Sequence, residues 1–329
     1  SVTDNPIVVL DEPSSNLDMY AIAELKKIIQ YWKQKSKTVV IAEHRLQYLN
    51  DMADRFIYMK EGKIVRELRY GEIQRLSPKE LMGMGLRSLS YDYLDIQNEK
   101  EASAFMKINK FSFKYKGSKK LNLSIDELDI PKDSVIAIIG RNGAGKSTFV
   151  RCLCGLEKKV KGFLEDGNAK LKAKNRLDHS FLVMQDVNRQ LFTESVEEEI
   201  TLSMEEENEN LLEEILKEFD LSDYRKQHPM SLSGGQKQRV AVASAIASLR
   251  NYIIFDEPTS GLDYFHMQQV ADCVKNLQEK GKTVFLITHD IELIYSCCNY
   301  VLHMENGAVK DIYRLNEENE SKLRSFFRV

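Results

Sequence analysis

The sequence predicts a layered α/β fold with a parallel sheet, present once in full and once in part. Three observations predict it. Residues 135–139 form a short apolar run that leads into Gly140-Arg141-Asn142-Gly143-Ala144-Gly145-Lys146-Ser147-Thr148, with Phe149, Val150 and Leu153 at helical spacing behind it. Strand, glycine-rich turn and helix in that order are the setting of a phosphate-binding loop. Strands and helices alternate along the rest of the chain, the pattern of a parallel sheet covered by helices. One block also occurs twice. Ile7-Val8-Val9-Leu10-Asp11-Glu12-Pro13-Ser14-Ser15-Asn16-Leu17-Asp18 returns as Tyr252-Ile253-Ile254-Phe255-Asp256-Glu257-Pro258-Thr259-Ser260-Gly261-Leu262-Asp263, at an offset of 256 − 11 = 245. The same offset carries Thr38 to Thr283, His44 to His289 and Gly62 to Gly307 without a gap, the mark of two copies of one unit.

The totals narrow the function classes. A chain of 329 residues suits two domains. Lys and Arg number 47 against 50 for Asp and Glu, which argues against a general nucleic-acid binder, and no basic stripe is visible. No apolar run approaches the ~20 residues of a membrane-spanning helix. The five cysteines (Cys152, Cys154, Cys273, Cys297, Cys298) match no zinc spacing and read as reduced, partly buried thiols.

In chain order, the first copy opens with a strand over 7–10 and a helix over 19–35, where Ile22, Leu25, Ile28, Ile29 and Trp32 repeat at helical spacing. A strand over 38–42, a helix over 45–52 and a strand pair over 55–59 and 63–68 follow, with Glu61-Gly62 as the turn. Residues 71–104 read as a linker with a short helix near 78–86 and a charged tail, Asn98-Glu99-Lys100-Glu101. The second copy begins near 105. Residues 106–114 and 121–130 alternate like antiparallel strands, and a strand over 181–184 ends at Gln185. Residues 195–224 read as helical, and their glutamate runs as a solvated face. Ser231-Leu232-Ser233-Gly234-Gly235-Gln236 opens a helix of small residues over 240–248, after which 253–297 repeats the first copy.

The copies are unequal. The second has its phosphate-loop Lys146 some 110 residues before Asp256 (256 − 146). The equivalent lysine of the first copy would precede residue 1. The expectation is that residues 1–70 are the C-terminal half of a nucleotide-binding domain truncated at its N terminus, and that 105–329 form a complete one.

These motifs together resemble the ATP-binding-cassette (ABC) ATPase family over nearly the whole chain. The resemblance implies the P-loop NTPase fold of that family: a layered α/β core, an antiparallel β subdomain and an α-helical signature subdomain, plus a second partial copy. Residues 140–147 look like its Walker A loop. There Asn142, Gly143, Gly145, Lys146, Ser147 and Thr148 are expected to hold the phosphates of ATP. Tyr115 matches the aromatic that stacks on adenine. Residues 253–256 look like Walker B, and Ser147, Gln185 and Asp256 are the expected Mg2+ ligands. Glu257 matches the general base, His289 the switch histidine, and Gln185 the Q-loop glutamine; with Lys146 they form the expected catalytic set. Ser233, Gly235 and Gln236 match the signature motif and Asp263 the D-loop. Asp11, Glu12, Asp18 and His44 are the corresponding remnant of the first copy.

In this family, ATP is held between the Walker A loop of one domain and the signature of a second. The resemblance therefore implies a second ABC domain as partner, either the missing first half or another copy, and slow turnover without it. The stretch Gln185-Asp186-Val187-Asn188-Arg189-Gln190-Leu191-Phe192 is similar to the Q-loop region of energy-coupling-factor and cobalt-type importers, departing from it at Asp186, Val187 and Arg189. Ala42-Glu43-His44-Arg45-Leu46 is similar to the first domain of fused double ATPases of that kind. The resemblance thus implies an ATPase at the cytoplasmic face of a membrane, docked on integral membrane subunits. The competing reading is a soluble tandem ATPase acting on ribosomes or nucleic acid, from which the Gly-Gly-Gln signature departs. Lys132-Asp133-Ser134 stands where the family usually has Gly-Glu, a change expected to matter to the turn.

Overall fold

The structure, a computed structural model, describes residues 5–15, 17–92, 94–98 and 100–327. Asn16 of the first Asp-Glu-Pro block and Glu99 of the linker lie outside the described residues. The chain forms two compact units. One holds the chain to Asp95 together with Ser260–Met267 and Phe327; the other holds Ile96–Thr259 and Gln268–Phe326.

The larger unit is built on a six-stranded sheet. Its order is Ser180–Val183, Tyr252–Asp256, Thr283–Ile287, Val135–Ile139, Tyr300–Glu305, Ala308–Arg314. All pairings are parallel except the last, a hairpin. Val135–Ile139 lies inside the sheet with all five side chains fully buried. A strand covered on both faces has no polar side to alternate, hence its continuous apolar run. An antiparallel sheet, ordered Leu123–Pro131, Phe105–Phe113, Lys161–Asp166, Ala169–Leu171, shares the core: Met106, Ile108 and Phe111 cluster with Ile136, Ile138 and Phe149. Helices Val196–Thr201, Glu209–Glu218 and Gly234–Ala247 complete this unit's helical part.

Lys132-Asp133-Ser134 forms the turn before the phosphate-loop strand. Asp133 sits at φ 52, a left-handed conformation that a short polar side chain tolerates. Its backbone N–H donates to Thr283 Oγ1 at 3.0 Å.

Three sequence expectations need correction. The helical stretch over 195–224 is broken: helix Val196–Thr201 ends at Leu202, and Asn208 starts a new helix by accepting from Leu211 N at 3.1 Å. The helix over 45–52 shrinks to a 3-10 turn, Gln47–Leu49. Its counterpart Ile291–Cys297 is capped by the Asp290 carboxylate, and Arg45 at the matching place offers no acceptor. The region read as a linker is ordered in part. The short helix expected near 78–86 is present as Pro78–Gly83, capped reciprocally by Ser77 and Glu80, and Tyr70–Ile73 is a helix that was not expected. Ile73 and Leu81 share a small core with Leu46 and Leu68.

The smaller unit pairs Ile7–Asp11 with Thr38–Ala42 in parallel and Arg55–Lys60 with Lys63–Arg69 as a hairpin. Helix Met19–Gln34 starts at Asp18, whose carboxylate accepts from Ala21 N at 2.8 Å. Its strand register matches the larger unit at the same offset: Ile7 faces Thr38 as Tyr252 faces Thr283. Positive-φ positions also recur at that offset: Glu12 and Glu257, Ser36 and Gly281, Glu61 and Asn306. Burial does not recur. Val9, Val40 and Met59 are 70%, 50% and 58% exposed, whereas their counterparts Ile254, Phe285 and Met304 are buried.

Candidate functional site: a phosphate-loop ATPase centre

The loop after Val135–Ile139 depends on glycine for two separate reasons. Gly140 passes so close to the Met304 carbonyl that a Cβ would collide with it. Gly145 begins helix Lys146–Leu153 at φ 102, a conformation unfavourable for other residues. A glycine-rich turn that runs into a helix N-terminus offers backbone N–H groups to an anion. Lys146 is buried, and its amine donates to Gly140 O at 2.7 Å and Arg141 O at 3.3 Å. Those carbonyls hold the charge in the loop, where phosphate oxygens can replace them.

The acids and the histidine converge here. Ser147 hydrogen-bonds Asp256, at the end of its strand. Burial pushes the Asp256 carboxyl above its usual range, against that bond and the Lys146 charge. A hydroxyl and a carboxylate side by side at a phosphate loop are hard oxygen donors and fit Mg2+. Among the described residues, no cluster of three His, Cys, Asp or Glu side chains forms a metal cage.

Glu257 is buried, with φ 55, and its N–H donates to Ile287 O at 2.8 Å. Its Oε1 lies 3.5 Å from His289 Nε2, and its Oε2 accepts from His289 N at 3.3 Å. His289 Nε2 is also 3.4 Å from the Lys146 amine. Glu257, His289 and Lys146 therefore form one contiguous set. Behind it, Thr259 Oγ1 donates to Asp290 Oδ2 at 2.8 Å, bracing the segments that carry Glu257 and His289.

The remaining sequence candidates are spread around this centre. The Tyr115 hydroxyl is 3.3 Å from Thr148 Oγ1, and its ring packs edge-on against Phe113, leaving it part-exposed. Asn142 and Gly143 lie on the exposed outer turn of the loop. Gln185 is exposed just past strand Ser180–Val183. Ser233 and Gln236 cap helix Gly234–Ala247 reciprocally, with Gly235 in its first turn. Among the described residues, no hydrogen bond joins Ser233, Gly235 or Gln236 to the phosphate loop.

In the smaller unit Glu12 and His44 form a 3.4 Å pair, and Asp11 ends its strand. Asp263 also belongs to this unit, where its Oδ1 accepts from His266 N at 2.9 Å, the same capping role that Asp18 has. Burial opposes the ionised Asp263, but the two His266 bonds and the charges of His266 and His44 outweigh it and hold its pKa below the usual value.

Sequence reasoning missed Glu199, which falls inside the run read as a solvated face. It is buried, and its Oε2 accepts from Phe192 N, Thr193 N and Thr193 Oγ1 at 2.9–3.0 Å. Helical phase held the signal, since Glu199 shares a face with the buried Val196 and Ile200. Neighbouring Glu197 is likewise engaged, paired with Arg225 and Lys226.

Fold and loop together define a P-loop ATPase. Residues 123–260 match the family described as ABC transporter. An ABC transporter ATP-binding protein of Treponema denticola is 39% identical over 328 residues, which cover 97% of this chain and 66% of that protein. The chain belongs to the ABC ATPase family and carries its ATP-binding, ATP-hydrolysing domain. It spans about two thirds of the length of such curated relatives. Among solved structures, cbiO1 of Clostridium perfringens, part of the ABC transporter complex cbiONQ, is 26% identical with a TM-score of 0.54, over 67% of this chain and 91% of that one. Archaeal ABCE1, in a structure of ribosome-bound Pelota and ABCE1, reaches a TM-score of 0.76 over 98% of this chain and 55% of that one. At 22% identity that likeness is one of fold.

Proposed function

We propose that this chain is the ATP-hydrolysing motor of a membrane importer, of the energy-coupling-factor type that moves a vitamin or a metal ion. One observation carries the proposal. The loop that starts at Gln185 ends in Phe192, which is 74% exposed on a rigid mount. Gln190 Oε1 accepts from Met184 N at 3.0 Å at one end, and Glu199 grips Phe192 and Thr193 at the other. An apolar knob fixed to the loop of Gln185, a Mg2+ ligand in this reading, suits a transport subunit that must feel nucleotide state. The likeness to cbiO1 supports the same reading.

In this reading residues 105–329 are a complete cassette and residues 1–70 are part of a first one, joined through 71–104. The shared register and shared positive-φ positions support that division. Lys146, the loop N–H groups, Asn142 and Thr148 bind the phosphates of ATP, and Tyr115 stacks on adenine. Ser147, Asp256 and Gln185 hold Mg2+, which when bound neutralises charge on the phosphate oxygens. Glu257 takes a proton from the attacking water, and His289 reports the γ-phosphate to it. Ser233, Gly235, Gln236 and Asp263 serve a facing cassette. The partners are that second cassette and integral membrane subunits, at the cytoplasmic face of the membrane. No described helix is long and apolar enough to cross a membrane.

Affinity purification from detergent-solubilised membranes tests this. The chain is expected to carry membrane proteins with it, and Phe192→Asp to lose them while ATP affinity stays within about twofold, since a buried charge at an apolar contact is strongly unfavourable. Recovery with ribosomes, unaffected by Phe192→Asp, would replace the importer by the ribosome-acting alternative.

A further inference from the structure

We propose that Gly307 is a positioning residue for nucleotide binding, the spacer that fixes the hairpin carrying Tyr115 at one distance from the phosphate loop. The proposal rests on the reading of Tyr115 as the residue that stacks on adenine.

Gly307 lies in the turn between strands Tyr300–Glu305 and Ala308–Arg314, where it is buried at φ +77. Its two backbone groups engage two different elements. The N–H donates to Ala144 O, in the phosphate loop, at 2.8 Å. The carbonyl accepts from Ser124 N, on strand Leu123–Pro131, at 2.9 Å. Packing repeats the pattern. A Cβ on Gly145 would lie 3.2 Å from the Gly307 Cα, and a Cβ on Gly307 would lie 2.4 Å from Asn122 O. Phosphate loop, turn and hairpin are thus in direct contact, with a single backbone between the outer two.

Asn122 carries the contact on to the aromatic. Its N–H donates to Phe113 O at 2.9 Å, and its Oδ1 accepts from Tyr115 N at 3.0 Å. The loop between Phe113 and Asn122 is closed across its base, and Tyr115 is tied to the residue that Gly307 touches. All of these residues belong to the larger unit. A nucleotide with its base on Tyr115 and its phosphates on residues 140–148 is held at both ends of this stack, so the thickness of the turn sets the span between the ends. A side chain on the turn would act as a shim. The three atoms nearest to a Cβ on Gly307 are Asn122 O, Asn122 C and Leu123 Cα, all on the hairpin side. An ordinary contact needs about 1 Å more than the Asn122 oxygen leaves, so a methyl group displaces the hairpin and leaves the phosphate loop in place.

The repeat supplies an internal comparison. Gly62 occupies the same place in the first copy, at φ +73, but it is exposed, and among the described residues nothing lies within 4 Å of a Cβ there. Backbone conformation alone accounts for glycine at 62, whereas 307 adds a close approach on the side of the nucleotide hairpin.

The test titrates the full chain with Mg·ADP and with Mg·pyrophosphate by calorimetry, and follows ATP hydrolysis and thermal unfolding. It compares wild type, Gly307→Ala, Asn122→Ala, Gly62→Ala and Tyr115→Ala. Gly307→Ala is expected to weaken ADP about tenfold and to raise KM for ATP with kcat within about twofold, while pyrophosphate affinity stays within about twofold. Asn122→Ala is expected to move the same way by a smaller factor. Gly62→Ala introduces the same strain at positive φ and is expected to lower the unfolding temperature alone. Unchanged ADP affinity in a folded Gly307→Ala overturns the proposal, and so does an equal loss of ADP and pyrophosphate affinity. If Gly307→Ala does not fold, Asn122→Ala decides by the same comparison. Tyr115→Ala separates the two readings: ADP affinity that survives it removes the stacking role, and a base-dependent loss in Gly307→Ala then upholds the spacer with another part of the hairpin against the base.

Discussion

Replacing Glu257 by Gln is expected to lower ATP turnover by about 100- to 1,000-fold while leaving ATP affinity nearly unchanged. The substitution keeps size and shape, so the hydrogen bond from His289 N at 3.3 Å survives with an amide oxygen as acceptor. It removes the basic lone pair that takes the proton of the attacking water. Glutamate is also a poor choice for φ 55 on conformational grounds, and glutamine is no worse there, so the variant is expected to fold normally. ATP that binds and is not consumed acts as a clamp between a phosphate loop and a facing signature. The Glu257→Gln variant is therefore expected to run as a dimer on size-exclusion chromatography with Mg·ATP, and wild type as a monomer. Wild-type hydrolysis per molecule is expected to rise with protein concentration. Brisk, concentration-independent turnover would count against pairing, and unchanged turnover in the variant would remove Glu257 from the base role.

Lys146→Ala acts earlier in the cycle. The amine now rests on Gly140 O and Arg141 O, and ATP offers it charged oxygens in their place. Charge-assisted bonds of this kind contribute about 1.5–3 kcal/mol each, so ATP affinity is expected to fall by at least ~10-fold, and kcat further because charge on the transferring phosphoryl group loses its stabiliser. A thermal shift reads the first effect directly. Ligand at 100 times Kd adds about 2.7 kcal/mol to stability, so wild type warms by several degrees under saturating Mg·ATP and Lys146→Ala by little at the same concentration. Equal shifts in the two proteins would move the binding site elsewhere.

The two substitutions bracket what the sequence could express. Motifs confined to one turn, such as residues 140–148 or Asp256-Glu257, were legible because local geometry dictates residue type: glycine where φ is positive, a lysine one helical step from the phosphates. The parallel sheet was legible through the apolar runs 135–139 and 252–255. The convergence of Lys146, Glu257 and His289 followed only from resemblance, because 143 residues separate Lys146 from His289. Arg87 and Glu199 stayed hidden for a related reason. A charged side chain reads as surface unless its helical phase or a distant partner is known, and Arg87 is a buried residue whose Nη2 donates to Leu262 O, 175 residues away. The broken helix over 195–224 was misread because capping by Asn208 outweighs a simple hydrophobic count, whereas the short helix near 78–86 was legible in Ser77-Pro78 and is present as Pro78–Gly83.

The smaller unit exposes apolar side chains on both of its strand pairs. Ile7, Val9 and Val40 on one pair of strands, and Ile57, Met59 and Ile64 on the hairpin, turn to solvent. Apolar strand surface of this kind attracts fluorescent hydrophobic dyes, detergent monomers and the chaperones that survey nascent chains. Sulfate and other excluded salts strengthen that attraction, and low concentrations of urea weaken it. A mild polar exchange such as Val9→Thr is expected to weaken binding of such dyes with the ATP centre untouched.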